Sequence, residues 1–68
     1  MGKSKKFMVG DMLRDTQLDF TGKVVSINGG ILKVELTEAE RKRTGFSARY
    51  VEMPSDDADR FCEHERHA

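Results

Sequence analysis

Sixty-eight residues make one small domain at most, and a chain of this length buries only about 60% of the surface its unfolded form exposes, so its core is small. Hydrophobic residues make up 37% and charged residues 35%, and twelve Lys and Arg cancel twelve Asp and Glu to a formal net charge of zero. These limits exclude two domains, a dinucleotide-binding domain and an eight-stranded barrel enzyme, and the apolar runs fall far short of the ~20 residues of a membrane-spanning helix.

The body opens at Phe7. Met8-Val9-Gly10-Asp11-Met12-Leu13-Arg14 is half apolar and interrupted by Gly-Asp, which predicts a strand entered through a tight turn. Residues 15–19 are rich in turn formers and predict a loop, with Asp11, Asp15 and Asp19 solvated. Phe20 to Ile27 concentrates Phe20, Val24, Val25 and Ile27 into a second strand, where Gly22 suggests a bulge or bend. Asn28-Gly29 between apolar runs predicts a type I′ hairpin turn. In the next strand Leu32, Val34 and Leu36 alternate with Lys33 and Glu35, so one face is buried and one is wet.

Thr37-Glu38-Ala39-Glu40 has the form of a capping box, with Thr37 as N-cap. Arg41, Lys42 and Arg43 follow, and Gly45 can end the turn; one or two helical turns and a charged hairpin tip both fit. Residues 46–53 form the last apolar stretch, which Pro54 closes because proline cannot donate to a ladder. Ser55 suits an N-cap, Asp56, Asp57 and Asp59 suit a first helical turn, and Ala58, Phe61 and Cys62 share a face. The expectation is a short C-terminal helix or a disordered tail, docked through Phe61 if it docks.

Charge divides the chain in the same way. Residues 1–6 hold Lys3, Lys5 and Lys6 and no acid, residues 7–54 balance seven bases against seven acids, and residues 55–68 hold two bases against five acids. A flexible basic arm over 1–6, a small β-barrel domain over 7–54 and an acidic helix or tail over 55–68 is the expected organisation.

Val9-Gly10-Asp11-Met12-Leu13-Arg14 resembles the opening strand of small Src-homology-3-like (SH3-like) barrels, and Gly22-Lys23-Val24-Val25-Ser26-Ile27 is similar to the second strand of their KOW and Tudor-like members. Arg49-Tyr50-Val51-Glu52-Met53 looks like the short helical turn and final strand that close such barrels. The resemblance covers roughly residues 7–54 and is one of fold. It implies an all-β, five-stranded SH3-like barrel serving as a binding module that engages RNA, DNA or protein through loops and an open edge. One group with this fold, the type II dihydrofolate reductases, lines a four-barrel pore with a Val-Gln-Ile-Tyr stretch. Here the corresponding region reads Phe46-Ser47-Ala48-Arg49-Tyr50, so those catalytic residues do not carry over.

No nucleophile constellation or phosphate-binding glycine loop is visible, and the expectation is a protein that is not an enzyme. Cys62, His64 and His67 invite a metal reading. On a helix, however, Cys62 lies about 200° from His64, and one loose cluster falls short of the four ligands of a structural site. No metal or other cofactor is expected. The single cysteine cannot form an internal disulfide, and the Lys-rich start leads into no apolar stretch. A cytoplasmic protein without membrane association is the expectation.

The best candidate site is basic. Arg41, Lys42 and Arg43 lie on one connection, Arg49 and Tyr50 follow, and Lys3, Lys5 and Lys6 form a separate arm. Basic side chains gathered on one surface attract phosphates, and an aromatic face offers a stacking platform, although Phe46 is the better core residue. Two functions follow: nucleic-acid association through the basic loop, or, since the body is neutral, an accessory module binding one protein partner. An unpaired sheet edge also invites a symmetric homodimer.

Overall fold

The computed structural model of the protein describes residues 7–65. The arm with Lys3, Lys5 and Lys6 therefore lies outside the described residues, as does His67. In chain order the elements are β1 (Met12–Asp15), β2 (Phe20–Asn28), β3 (Ile31–Glu35), α1 (Glu38–Thr44), β4 (Tyr50–Pro54), α2 (Ser55–Phe61) and β5 (Cys62–His64). All five strands join one antiparallel sheet in the order β4-β3-β2-β1-β5, whose ladder stays open between β4 and β5. The fold is dominated by β structure, as expected. No helix of the described residues is long and apolar enough to cross a membrane.

The first two turns are built by aspartates. The Asp11 carboxylate accepts the Met8 N–H at 2.9 Å, and Asp11 N–H bonds back to the Met8 carbonyl at 3.0 Å, which closes the turn ahead of β1. Asp15 Oδ1 accepts the N–H groups of Gln17 at 2.8 Å and Leu18 at 2.9 Å, organising the 16–19 turn from beneath. Asp15 is thus buried, at 7% exposure, and is not the solvated acid that its polar surroundings suggest. Two charge-assisted bonds compensate the lost hydration.

The β2–β3 hairpin sits one residue later than Asn28-Gly29 predicts. Asn28 pairs with Ile31, and the two connecting residues are Gly29 at φ 56° and Gly30 at φ 80°. A type I′ turn requires positive φ at both central positions, and glycine, with no Cβ, adopts it without steric penalty. The irregularity in β2 also lies elsewhere: the register shifts between Val24 and Ser26, not at Gly22. Gly22 instead marks a close approach, since a Cβ there would collide with the Val34 side chain and lie 2.9 Å from the Glu35 carbonyl oxygen.

One face of the sheet is the core. Leu13, Phe20, Val24, Val34 and Cys62 are fully buried, with Leu32 and Leu36 at 2%. The alternation read in β3 is the one observed. On the other face, cross-strand neighbours carry opposite charges, with Lys23 opposite Glu35, Lys33 opposite Glu52 and Arg14 opposite Glu63.

The end of the chain departs from expectation. Residues 49–53 do not close the sheet. Residues 50–53 belong to β4, an edge strand that includes Pro54. The Leu36 N–H bonds to the Arg49 carbonyl at 2.8 Å and the Ser55 N–H to the Gly30 carbonyl at 2.7 Å, so odd-numbered positions of β4 bond to β3 and even-numbered ones face away. Pro54 is tolerated because its nitrogen lies on the outward side. Helix α2 starts directly after it, with Pro54 rather than Ser55 as N-cap. The chain then pairs β5 with β1, Leu13 opposite His64 and Asp15 opposite Cys62, a strand that the sequence reading leaves out. Ala58 and Cys62, both at 0% exposure, dock this segment, while Phe61 is only half-buried. Small residues let the helix approach the sheet closely where Phe61 would hold it off.

In a strand interior, Gly→Ala ordinarily stabilises by about 0.5–1 kcal/mol. At Gly22 the opposite sign is expected: overpacking between β2 and β3 should make Gly22→Ala destabilising by about 1–3 kcal/mol, seen as a lower urea midpoint at unchanged m. An equal or higher midpoint would show that the two strands separate freely there.

Candidate functional site

The predicted basic residues lie on the long β3–β4 connection. The residue opposite Thr21 on β3 would be Thr37, but the chain turns at Thr37 to begin α1. Thr37 adopts extended angles and its hydroxyl accepts the Glu40 N–H at 3.1 Å. The Thr21 N–H is left without a ladder partner, and Glu40 Oε1 accepts it at 3.0 Å. Only half of the capping box therefore forms: the Glu40 side chain reaches across to β2 instead of back to Thr37. Gly45, with its N–H on the Arg41 carbonyl, ends the helix.

Glu40 is held in turn by Arg43, whose Nε and Nη2 donate to the two carboxylate oxygens at 3.2 and 2.9 Å. Arg43 Nη2 also donates to the Asp19 carbonyl at 2.6 Å, and Nη1 lies 3.6 Å from the Asp19 carboxylate. The hydrogen bonds from Arg43, and then from Thr21, hold the Glu40 carboxyl below its ordinary pKa, while the same contact raises that of Arg43.

The structure thus sorts the basic cluster. Arg43 is committed to pinning α1 onto the 16–19 turn and β2. Lys42 sits 4.0 Å from Glu38 on the exposed side of the helix. Arg41 is half-buried, and its Nε has no hydrogen-bond partner among the described residues. Arg49 is exposed just before β4. Tyr50 opens that strand with 41% of its surface exposed and the Lys33 Nζ 4.8 Å from its ring centroid. Phe46 packs edge-on against Phe20 at 5.6 Å between centroids and belongs with the core.

Two concavities flank this region. A groove of about 420 Å³ lies where α1 meets the sheet, bordered by Met12, Gly22 and Leu36 with Lys23, Glu35 and Glu40. A shallower hollow of about 280 Å³ is formed by Leu18, Phe46, Ser47, Ala48 and Val51, beside the free edge of β4. Leu18, 59% exposed, stands at its mouth. The sequence reading misses this hollow; the one signal is an isolated leucine among the polar residues of the 15–19 turn.

In the former metal candidate, Cys62 is buried with its Sγ 3.9 Å from Asp15 Oδ2 and 3.7 Å from Met53 Sδ. His64 stacks on Phe7 at 4.2 Å and faces Asp11 at 3.5 Å. Among the described residues, no group of three His, Cys, Asp or Glu side chains could hold a metal ion.

Because α2 and β5 are part of the packed sheet, their acids count with the body. The described residues carry eight Lys and Arg against twelve Asp and Glu, an excess of four negative charges. No protein-family model matches the chain, nor does any curated protein or any solved structure.

Since the folded state favours ionised Glu40, this carboxylate stabilises the fold above the ordinary carboxylate pKa, and that stability is lost as pH falls through the depressed folded value. Glu40→Gln should therefore be less stable than the parent near neutrality, and the gap should narrow as pH falls below the ordinary carboxylate pKa, as followed by urea unfolding near neutrality and in acid. An equal gap at both would show that the Glu40 charge does not tie α1 to β2.

Proposed function

We propose that this chain is a small, non-catalytic SH3-like module that binds a protein partner through the edge of β4 and the apolar hollow beside it. One observation carries the reading: an open apolar hollow, with the exposed Leu18 in its lining, adjoins a strand with unused backbone bonding capacity. The strand order, with a helical segment before the final strand, supports the SH3-like part, α2 and β5 standing where the resemblance had pointed to residues 49–53. The hollow offers one hydroxyl, that of Ser47, and otherwise apolar groups, which suits recognition rather than chemistry.

A second reading, nucleic-acid binding, draws on the exposed Tyr50 ring with Lys33 beside it and Arg49 preceding it, together with the Lys-rich arm. It is the weaker one. Glu35 and Glu52 stand opposite Tyr50 and Lys33, Arg43 is occupied within the fold, and nucleic-acid domains carry a clear basic excess.

The two separate in solution. Titration of the full chain with single-stranded and duplex oligonucleotides should give at most weak, salt-sensitive binding that Arg41→Ala, Arg49→Ala and Tyr50→Ala leave unchanged. Capture of a specific protein from the native host, identified by cross-linking and mass spectrometry, should be lost in Leu18→Glu. Oligonucleotide affinity that survives near-physiological salt and collapses in the triple alanine variant would replace the protein reading with the nucleic-acid one.

A further inference from the structure

The two edges of the sheet are unequal. On β5, only three residues long, the Cys62 N–H is used by the Ala58 carbonyl and the His64 ring stacks on Phe7 beside the strand. On β4, the ladder to β3 uses positions 49, 51, 53 and 55, which leaves the N–H and C=O groups of Tyr50 and Glu52 directed away from the sheet. Both residues are exposed, and no bond among the described residues occupies those groups.

We propose that the occupant of this edge is a second copy of the same chain, paired antiparallel through β4 about a two-fold axis at Val51. This rests on the reading of the β4 edge as the interaction surface and names its partner. Register decides the choice. An antiparallel pair exchanges both bonds between opposed outward-facing residues, so a two-fold centred on Val51 sets Tyr50 opposite Glu52 of the second copy, twice, and satisfies all four outward N–H groups and their acceptors. The alternatives are worse. Centring on Glu52 sets two carboxylates directly opposite each other and places Pro54, which has no N–H, where a donor is needed. Centring on Tyr50 takes the pairing back to Ala48, which precedes the strand.

In the Val51-centred register the charges also agree. Along each row of the outer face, Lys33 neighbours Glu52, Glu52 neighbours the Tyr50 of the other copy, and no like charges are opposed. On the inner face Val51 meets its own counterpart, and the two hollows come together across the axis. Leu18, Phe46 and Val51 of both copies then cover apolar surface that a single copy leaves to water.

Amide exchange on the unaltered full chain tests this directly. The Val51 and Met53 amides, bonded to β3, should be protected at any concentration. The Tyr50 and Glu52 amides should exchange freely at micromolar protein and slow by about tenfold or more at millimolar protein, while sedimentation reports a dimer. Glu52→Pro removes two outward donors from the symmetric pair without touching the β3 ladder and should raise the dimer dissociation constant about tenfold or more, with the far-UV spectrum kept. A monomer at millimolar protein with Tyr50 and Glu52 still open overturns the second-copy proposal. The wider reading of this surface falls separately, if Leu18→Glu leaves capture of a foreign protein intact.

Discussion

A single sheet of five short strands has an apolar face and no second sheet to bury it against. Everything in this molecule depends on how that face is covered. The chain solves it by returning: α2 crosses from one edge of the sheet to the other and delivers Ala58 and Cys62 onto the core, after which β5 pairs with β1 beside Leu13. Without that return, the inner side of β1 beside Leu13 would lose the cover that Ala58 and Cys62 provide, in a chain whose core is small. The same return changes the electrostatics. Acids that look like a free tail become part of the packed body, so a neutral core region becomes an acidic one. The chain as a whole stays neutral, with none of the basic excess that phosphate binding favours.

At the other end, coverage is achieved with polar chemistry. Where β3 stops, Glu40 takes the place of the missing strand residue by accepting the Thr21 N–H, and Arg43 holds Glu40 against the Asp19 turn. A carboxylate and a guanidinium thus do what a longer strand would do with backbone alone. In consequence one of three consecutive basic side chains, Arg43, is tied up in hydrogen bonds within the fold although it stays exposed, and an exposed pair between Glu38 and Lys42 engages a second.

The parts of the fold legible in the sequence are those set by local rules. The alternation of Leu32, Val34 and Leu36 can be satisfied only by a strand with one buried face, and the Thr37 cap and Gly45 terminus are read from side-chain chemistry within a few residues. The illegible parts depend on distant partners. The strand at Cys62–His64 has no pattern of its own, because three residues cannot show periodicity, and it exists because β1 offers it bonds. Asp15 looks solvated until two turn amides close over it. Of the candidate site, the basic run is plain in the sequence, but the commitment of Arg43 to a structural role, apart from Arg41 and Lys42, is decided by Thr21 and Asp19, far from it in the chain. The hollow beside β4 joins a turn leucine to residues of a later connection, a juxtaposition that only tertiary structure creates.

The junctions around α2 carry no slack: Pro54 is both the last residue of β4 and the helix cap, and Cys62 is both the helix end and the first residue of β5. Each residue added to a helix rotates the chain beyond it by about 100°, and each residue added to a strand reverses the side it presents. The segment therefore has a gauge as well as a composition. Evolution can exchange the acids on its surface freely, but it cannot lengthen or shorten the span by one without turning Ala58 or Cys62 out of the interior.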